Sequence, residues 1–117
     1  MIELFERDGD DIRLIGGYSP TSGHHHFPLA PVCPYTGADD VERVALPTTG
    51  QLWAWTAVNT APPGYDGPVP YGFGVVELDG IGLRVVGRLT EPDPSALHDG
   101  QSMRLVPDLD VWAFTPG

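Results

Sequence analysis

The chain has 117 residues, of which 41% are hydrophobic, so it is long enough for one domain with a modest core. Its formal charge is −10 and its six basic residues are all arginines, which argues against a nucleic-acid partner because phosphate binding needs dense positive charge. The 15 glycines, the 13 prolines and the short apolar runs predict an all-β, turn-rich fold with little helix.

The cellular setting follows from what the sequence lacks. No stretch approaches the roughly 20 apolar residues of a transmembrane helix. The start, MIELFERDGDD, does not have the basic and then apolar pattern of a secretory signal. Cys33 is the single cysteine, so no intrachain disulfide can form. We therefore expect a cytoplasmic protein with no membrane partner.

Residues 1–46 carry two turns with the spacing of zinc-ribbon knuckles, in a segment that is otherwise expected to be irregular. The turns are Ser19-Pro-Thr-Ser22-Gly23 and Cys33-Pro-Tyr-Thr36-Gly37. A structural zinc site needs four thiolate or imidazole ligands. Three of the four positions carry hydroxyls instead, which stay protonated near neutral pH and are poor zinc ligands. The spacing thus predicts a degenerate, metal-free ribbon.

Three consecutive histidines between the two turns offer another ligand set. His24, His25 and His26 could in principle join Cys33 around one ion. Adjacent side chains of an extended chain point in opposite directions, however, so one ion would not collect all three. We favour a loop without metal, in which Cys33 is a small buried apolar residue.

Residues 47–117 contain the signals of a barrel. Asp79-Gly80 predicts a tight hairpin, Asp93-Pro94 predicts the start of one short helix, and Gly87 is interpreted as a bulge. Three strands, a helix and two strands are the order of a five-stranded OB-type Greek-key barrel. A split sandwich is the alternative. The five strand-like runs are residues 51–59, 73–78, 82–90, 102–107 and 111–115.

Aromatic residues supply the main candidate for a binding surface. Alternation along the first run predicts that Trp53 and Trp55 share one side of the strand. The proline-rich loop 61–72 adds further aromatic side chains to a restricted backbone, which favours a protein interface over a small-molecule pocket. Core packing is the competing interpretation. The residues expected at the partner or acyl-CoA entrance are Trp55, Pro63, Tyr65, Tyr71 and Phe73.

Self-contained catalysis has little support. Cys33 has no neighbouring positive charge that would activate it, and no GxSxG elbow is present. The 16 acidic residues lie mostly in turns and do not have the spacing of a calcium-binding loop. We interpret them as solvated turn residues and helix caps. We predict no catalytic residues in this chain.

An ordered series of short motifs resembles the acyl-CoA-associated zinc-ribbon and OB-fold proteins. The series covers the chain from about Ile12. Beside the two knuckles it comprises Phe27-Pro28, Pro31-Val32-Cys33-Pro34, Gly50-x-x-Trp53-x-Trp55-Thr56-x-Val58, Ala61-Pro62-Pro63-Gly64-Tyr65, Pro70-Tyr71-Gly72, Val76-Glu77-Leu78, Arg88-Leu89 and Asp93-Pro94-x-x-Leu97-x-x-Gly100.

The resemblance implies an accessory role. Members of that family have an N-terminal helix and a ribbon before the barrel, and they pair with thiolase-fold enzymes that act on CoA thioesters. By resemblance the partner is a thiolase-fold dimer carrying two copies of this chain, with a fused or associated hydratase-like domain as a further possibility. The chain itself would bind no cofactor, and acyl-CoA would be the substrate of the complex.

The resemblance also assigns the metal-ligand positions and the chemistry. Ser19, Ser22, Cys33 and Thr36 stand at the family's four ligand positions. A ribbon that lacks zinc must be held by other contacts, for which we expect packing by Tyr18, Phe27, Leu29 and Val32. The favoured reaction is a retro-aldol step in steroid side-chain degradation, and a thiolase or hydroxymethylglutaryl-CoA synthase type of acyltransferase complex is the alternative. More remote alternatives are an OB-fold oligonucleotide-binding module and a zinc-dependent regulator or enzyme.

Overall fold

The computed structural model describes residues 4–60, 63, 69–108 and 111–117. The chain divides into two compact units, Met1–Thr48 and Thr49–Gly117. Nine strands and one short 3-10 helix make up its regular structure in the described ranges, so the all-β prediction is confirmed. Within those ranges no helix has the length and apolar character to cross a bilayer.

The first unit is a small antiparallel sheet system built around one long strand. The central strand β2 pairs with β1, β3 and β4. The expectation of an irregular segment is therefore wrong here, since short polar strands such as β3 carry no periodic signal in the sequence. No helix occurs in its described residues 4–48. The strands are β1 (Phe5–Asp8), β2 (Asp11–Ser19), β3 (His24–His26) and β4 (Glu42–Ala45).

The core of the first unit lies along β2, and the four residues expected to pack against the barrel or a partner are not part of it. Its fully buried apolar residues are Ile12, Leu14, Ile15, Cys33 and Leu46. Tyr18, Phe27 and Leu29 are only half-buried, and Val32, expected to pack, is 42% exposed. His26 is buried instead, and its ring lies so close to the backbone of Gly17 that a side chain there would collide with it.

The second unit is a closed five-stranded barrel, which confirms the predicted OB-type fold and excludes the split sandwich. Its strand order is β5-β6-β7-β9-β8, and pairing between β5 and β8 closes the sheet. All neighbours are antiparallel except β7 and β9. The strands are β5 (Thr49–Val58), β6 (Tyr71–Leu78), β7 (Arg84–Leu89), β8 (Ser102–Asp108) and β9 (Val111–Pro116).

The turn and cap signals lie where the sequence predicts them, although the hairpin is longer than the predicted tight turn: residues 79–82 form its loop, and β7 begins at Arg84. Gly80 adopts a positive φ of 82° in the hairpin between β6 and β7. Between β7 and β8 a 3-10 helix covers Pro94–Ala96, and the Asp93 carboxylate accepts from the Ser95 amide as its N-cap. The barrel interior is filled by Leu52, Val76, Leu78, Val85, Leu89, Leu97, Met103, Leu105, Ala113 and Phe114.

Gly87 has a different role from the predicted one. The β6–β7 register runs without interruption through the Gly74–Gly87 pair, so no bulge occurs there. A Cβ atom at Gly87 would instead overlap the ring of Trp112. The glycine thus makes room for an indole that also packs edge-on against Phe114, at 5.8 Å between centroids.

We expect Gly87→Ala to destabilise the barrel by about 1–3 kcal/mol, because the added methyl forces Trp112 out of place. Chemical denaturation followed by tryptophan fluorescence measures the change. Val86→Thr, an exposed and β-branched substitution on the same strand, should stay within about 0.5 kcal/mol of the wild type. Equal stability of the two variants would contradict the packing role of Gly87.

Candidate functional site

The expected entrance residues do not form a single surface. Tyr65 lies outside the described residues, Pro63 is exposed, and Tyr71 is half-buried at the start of β6. Trp55 and Phe73 do come together: with Ala54, Thr56, Gly74 and Val75 they line a shallow, mainly apolar depression of about 220 Å³. The candidate surface is therefore the outside of the barrel wall, at β5 and β6.

Trp53 and Trp55 do not share one side of β5, contrary to the prediction. The β5–β6 register shifts between Leu52 and Ala54, which makes Trp53 the extra residue of a β-bulge. Trp53 is 52% exposed. The Trp55 indole N–H donates to the Pro94 carbonyl at 3.0 Å and is thereby tied to the 3-10 helix. No feature of the sequence marks the bulge, so Trp53 was missed as a surface residue.

Trp53 belongs to an exposed apolar area that crosses three strands. Ala54 pairs with Val75 on β6, and Val75 pairs with Val86 on β7, so their side chains form one row across the barrel wall. Val86 is 53% exposed and Phe73 is 38% exposed. We call this area the outer patch; it consists of Trp53, Ala54, Phe73, Val75 and Val86.

A charged side chain borders the outer patch. The Arg84 guanidinium stacks on the Trp53 ring, 4.2 Å from its centroid. The same Arg84 pairs with Glu77 at 3.5 Å. Contacts of this kind hold an exposed indole in one orientation, and an apolar patch with a polar rim is typical of a protein interface.

The four knuckle positions are linked by hydrogen bonds. The buried Ser19 hydroxyl donates to Asp40 Oδ1 at 2.6 Å and accepts from the Ser22 amide at 3.3 Å. The Ser22 hydroxyl in turn donates to Cys33 Sγ at 3.4 Å. Both knuckles end in a glycine with positive φ, Gly23 at 70° and Gly37 at 76°. The structure brings the predicted positions together, although they carry the wrong donors for zinc.

Cys33 is buried and hydrogen-bonded. Hydrogen bonds from the Ser22 hydroxyl and the Thr36 hydroxyl lower the pKa of its thiol to about 7, because both donors favour the thiolate. Cys33 is 1% exposed, so burial restricts the access of a reagent to its sulfur.

The residues present do not fit a zinc ion. Three hydroxyls and one thiol stand at the four positions, and neutral hydroxyls are weak ligands for zinc. Across the described part of the chain, no group of three His, Cys, Asp or Glu side chains is arranged to hold a metal. The histidines diverge as expected: the His24 ring contacts Tyr35, the His25 ring contacts Tyr18, and His26 Nε2 accepts from the Ala30 amide.

One acidic residue differs from the predicted set of solvated turns. Asp40 accepts from the Ser19 hydroxyl and also from the Thr21 amide, the latter at 2.8 Å. Hydrogen bonds from Ser19 and then Thr21 lower the pKa of the Asp40 carboxyl to about 2, since they stabilise its charged form. No local pattern in the sequence predicts this contact, because Asp40 is 21 residues from Ser19.

The closed barrel and its strand order define an OB-fold protein, and a smaller unit precedes the barrel in the sequence. Residues 43–108 match the family described as the ChsH2 C-terminal OB-fold domain. The chain belongs to this family.

Two relatives and one solved structure extend the comparison. The chain is 33% identical over 94 residues to a DUF35 domain-containing scaffold protein of Pyrococcus furiosus, covering 80% of this chain and 68% of that protein. It is 26% identical to a protein of the same name from Methanocaldococcus jannaschii, covering 80% and 66%. The structure of an Ltp2-ChsH2(DUF35) aldolase superposes with a TM-score of 0.69 at 26% identity, covering 89% of this chain and 84% of that one.

We expect Cys33 to react slowly in the folded protein even though its pKa is near 7, because the sulfur must first be exposed by local opening. Alkylation by iodoacetamide at pH 7.5 should be slower by about tenfold or more than in the same protein unfolded by guanidinium. Mass spectrometry of timed samples measures both rates. Equal rates would mean that the thiol is accessible and the knuckle open.

Proposed function

We propose that this chain is a non-catalytic accessory subunit that docks on a thiolase-fold enzyme through the outer patch. The partner holds the catalytic residues and acts on an acyl-CoA thioester, and the chain binds no cofactor itself. Two copies sit on one enzyme dimer, in the cytoplasm, and a fused or associated hydratase-like domain belongs to the complex.

The observation that carries this proposal is Trp53 on the outside of the barrel. Exposing a large aromatic side chain to water is unfavourable, because burying apolar surface contributes about 25 cal/mol of free energy per Å². Tryptophan is therefore frequent at the centre of protein interfaces. Phe73 and Val86, on the two strands that follow in the barrel wall, are exposed as well. A contiguous patch of this kind on a chain with a charge of −10 fits a protein surface better than a phosphate backbone.

The reaction we propose is a retro-aldol cleavage, which breaks the bond between the α and β carbons of a 3-hydroxyacyl-CoA. The structural similarity to a chain of the Ltp2-ChsH2(DUF35) aldolase, whose name gives two components, supports the choice of an aldolase reaction. The steroid side chain as the acyl group rests on the family resemblance of the sequence motifs. The archaeal relatives are named scaffold proteins, which supports the accessory role and also fits the second candidate, an acyltransferase complex of the thiolase or hydroxymethylglutaryl-CoA synthase type.

Reconstitution tests the proposal. The full chain is co-expressed with the thiolase-fold enzyme encoded beside it, and analytical ultracentrifugation determines the size of the complex. We expect a stable two-plus-two assembly that cleaves a steroid 3-hydroxyacyl-CoA, with each component alone much less active. Condensation of acyl-CoA units instead of cleavage would favour the acyltransferase alternative. A free monomer beside a fully active enzyme would contradict the accessory role.

Substitutions in the outer patch locate the interface. We expect Trp53→Ala to weaken binding to the enzyme by about 2 kcal/mol, or about 30-fold in Kd, because an interfacial tryptophan buries a large apolar area. Calorimetric titration of the purified components gives the Kd.

Matched valines provide the control for that measurement. Val86 lies in the outer patch and is 53% exposed, whereas Val32 lies in the first unit and is 42% exposed. Val86→Ala should weaken binding several-fold, and Val32→Ala should leave it unchanged. Wild-type affinity of Trp53→Ala, with its fold verified by circular dichroism, would exclude the outer patch as the docking surface.

A further inference from the structure

The two knuckles of the first unit are joined by a continuous set of polar contacts. Ser19 contacts Ser22 through the Ser22 amide, and Ser22 contacts Cys33 through its hydroxyl. The Thr36 hydroxyl donates to the same sulfur. All four knuckle positions therefore meet, as the ligands of a zinc ribbon would, although the structure around them is held by hydrogen bonds.

Asp40 stands outside the four positions and ties the first knuckle to the chain beyond the second. Its two carboxylate oxygens are used separately, Oδ1 by the Ser19 hydroxyl at 2.6 Å and Oδ2 by the Thr21 amide at 2.8 Å. The second knuckle forms a turn of its own, in which the Cys33 amide donates to the Ala38 carbonyl at 2.8 Å. Asp40 follows this turn two residues later in the chain. The carboxylate thus joins the first knuckle to the segment that follows the second.

The electrostatic arrangement is the reverse of that in a zinc ribbon. In a zinc ribbon a cation is bound by thiolates, so the residues at the ligand positions must be anionic. Here the Asp40 carboxylate accepts from one knuckle hydroxyl, that of Ser19, and from the Thr21 amide. The Ser22 and Thr36 hydroxyls donate instead to the Cys33 sulfur. Hydrogen bonds to a charged acceptor are about twice as strong as neutral ones. The hydroxyls that make the site unsuitable for zinc therefore serve as donors, one to the Asp40 carboxylate and two to the sulfur.

We propose that Asp40, with Ser19, Ser22, Cys33 and Thr36, forms a polar clasp that replaces the metal ion and lets the first unit fold without zinc. The clasp keeps the four knuckle positions converged. Cysteines placed at the three hydroxyl positions would consequently create a tetrathiolate metal site. This inference concerns the first unit and does not depend on the proposed function.

Hydrogen exchange in the full chain tests the role of Asp40. We expect Asp40→Ala to accelerate amide exchange in peptides covering residues 19–38 roughly tenfold or more, because hydrogen bonds to a charged group are lost. Asp39→Ala removes the same charge from the neighbouring, exposed position and should leave exchange unchanged. Peptides from the barrel serve as an internal reference. Equal exchange in the two variants would overturn the clasp.

Metal binding provides the second test. The wild-type chain, purified without a tag, should contain far less than one zinc per chain, and EDTA should leave its exchange unchanged. S19C/S22C/T36C should bind one Co²⁺ per chain with the thiolate charge-transfer absorption of a tetrahedral site. Stoichiometric zinc in the wild type that EDTA removes with faster exchange would overturn the proposal, as would failure of the triple variant to bind metal.

A combined variant links the two tests. If Asp40 stands in for the metal, Asp40→Ala should have little effect in S19C/S22C/T36C loaded with zinc, because the ion then joins the knuckles. The accelerated exchange seen in the wild-type background should disappear. Acceleration of the same size in both backgrounds would mean that Asp40 acts independently of the knuckles, and the proposal would fail.

Discussion

The pairing of β5 with strands on both of its sides determines most of the barrel. Its first three residues pair with β8 while its full length pairs with β6, so this one strand closes the sheet. The bulge at Trp53 follows directly after the part shared with β8. Leu52 thereby stays in the core, Trp53 points outward, and Trp55 reaches the 3-10 helix. Closure of the sheet and exposure of Trp53 therefore both depend on β5: its first residues pair with β8, and its bulge turns Trp53 outward.

The first unit has the two knuckle turns of a zinc ribbon but lacks the residues that bind zinc. Its β2 core and its knuckle turns are supported by apolar burial and by backbone geometry, which need no ion. Structural zinc normally supplies much of the folding free energy of so small a module. In this chain, buried Ser19 and the Asp40 carboxylate supply contacts at the same place.

Local signals in the sequence were sufficient for the barrel but not for the site. The Asp79-Gly80 hairpin, the Asp93 cap and the strand alternation predicted the strand order and the helix position, because each depends on residues close together in the chain. The bulge could not be predicted, since it depends on which strand opposes Leu52 and Ala54. Asp40 was missed for a related reason: its partner Ser19 is 21 residues away. Glycine at position 87 predicted a bulge, which is wrong, because the residue that requires it is Trp112, distant in the sequence and adjacent only in the fold.

The central claim is that the outer patch on β5, β6 and β7 faces the partner enzyme. Photo-crosslinking tests it most directly, with benzoylphenylalanine placed at Val86 and, in a second protein, at the similarly exposed Val32. Each is mixed with the thiolase-fold partner and irradiated, and the products are separated by denaturing electrophoresis. The account predicts a covalent adduct of this chain with the enzyme from position 86. No adduct from position 86, under conditions in which the two proteins co-sediment, would contradict it.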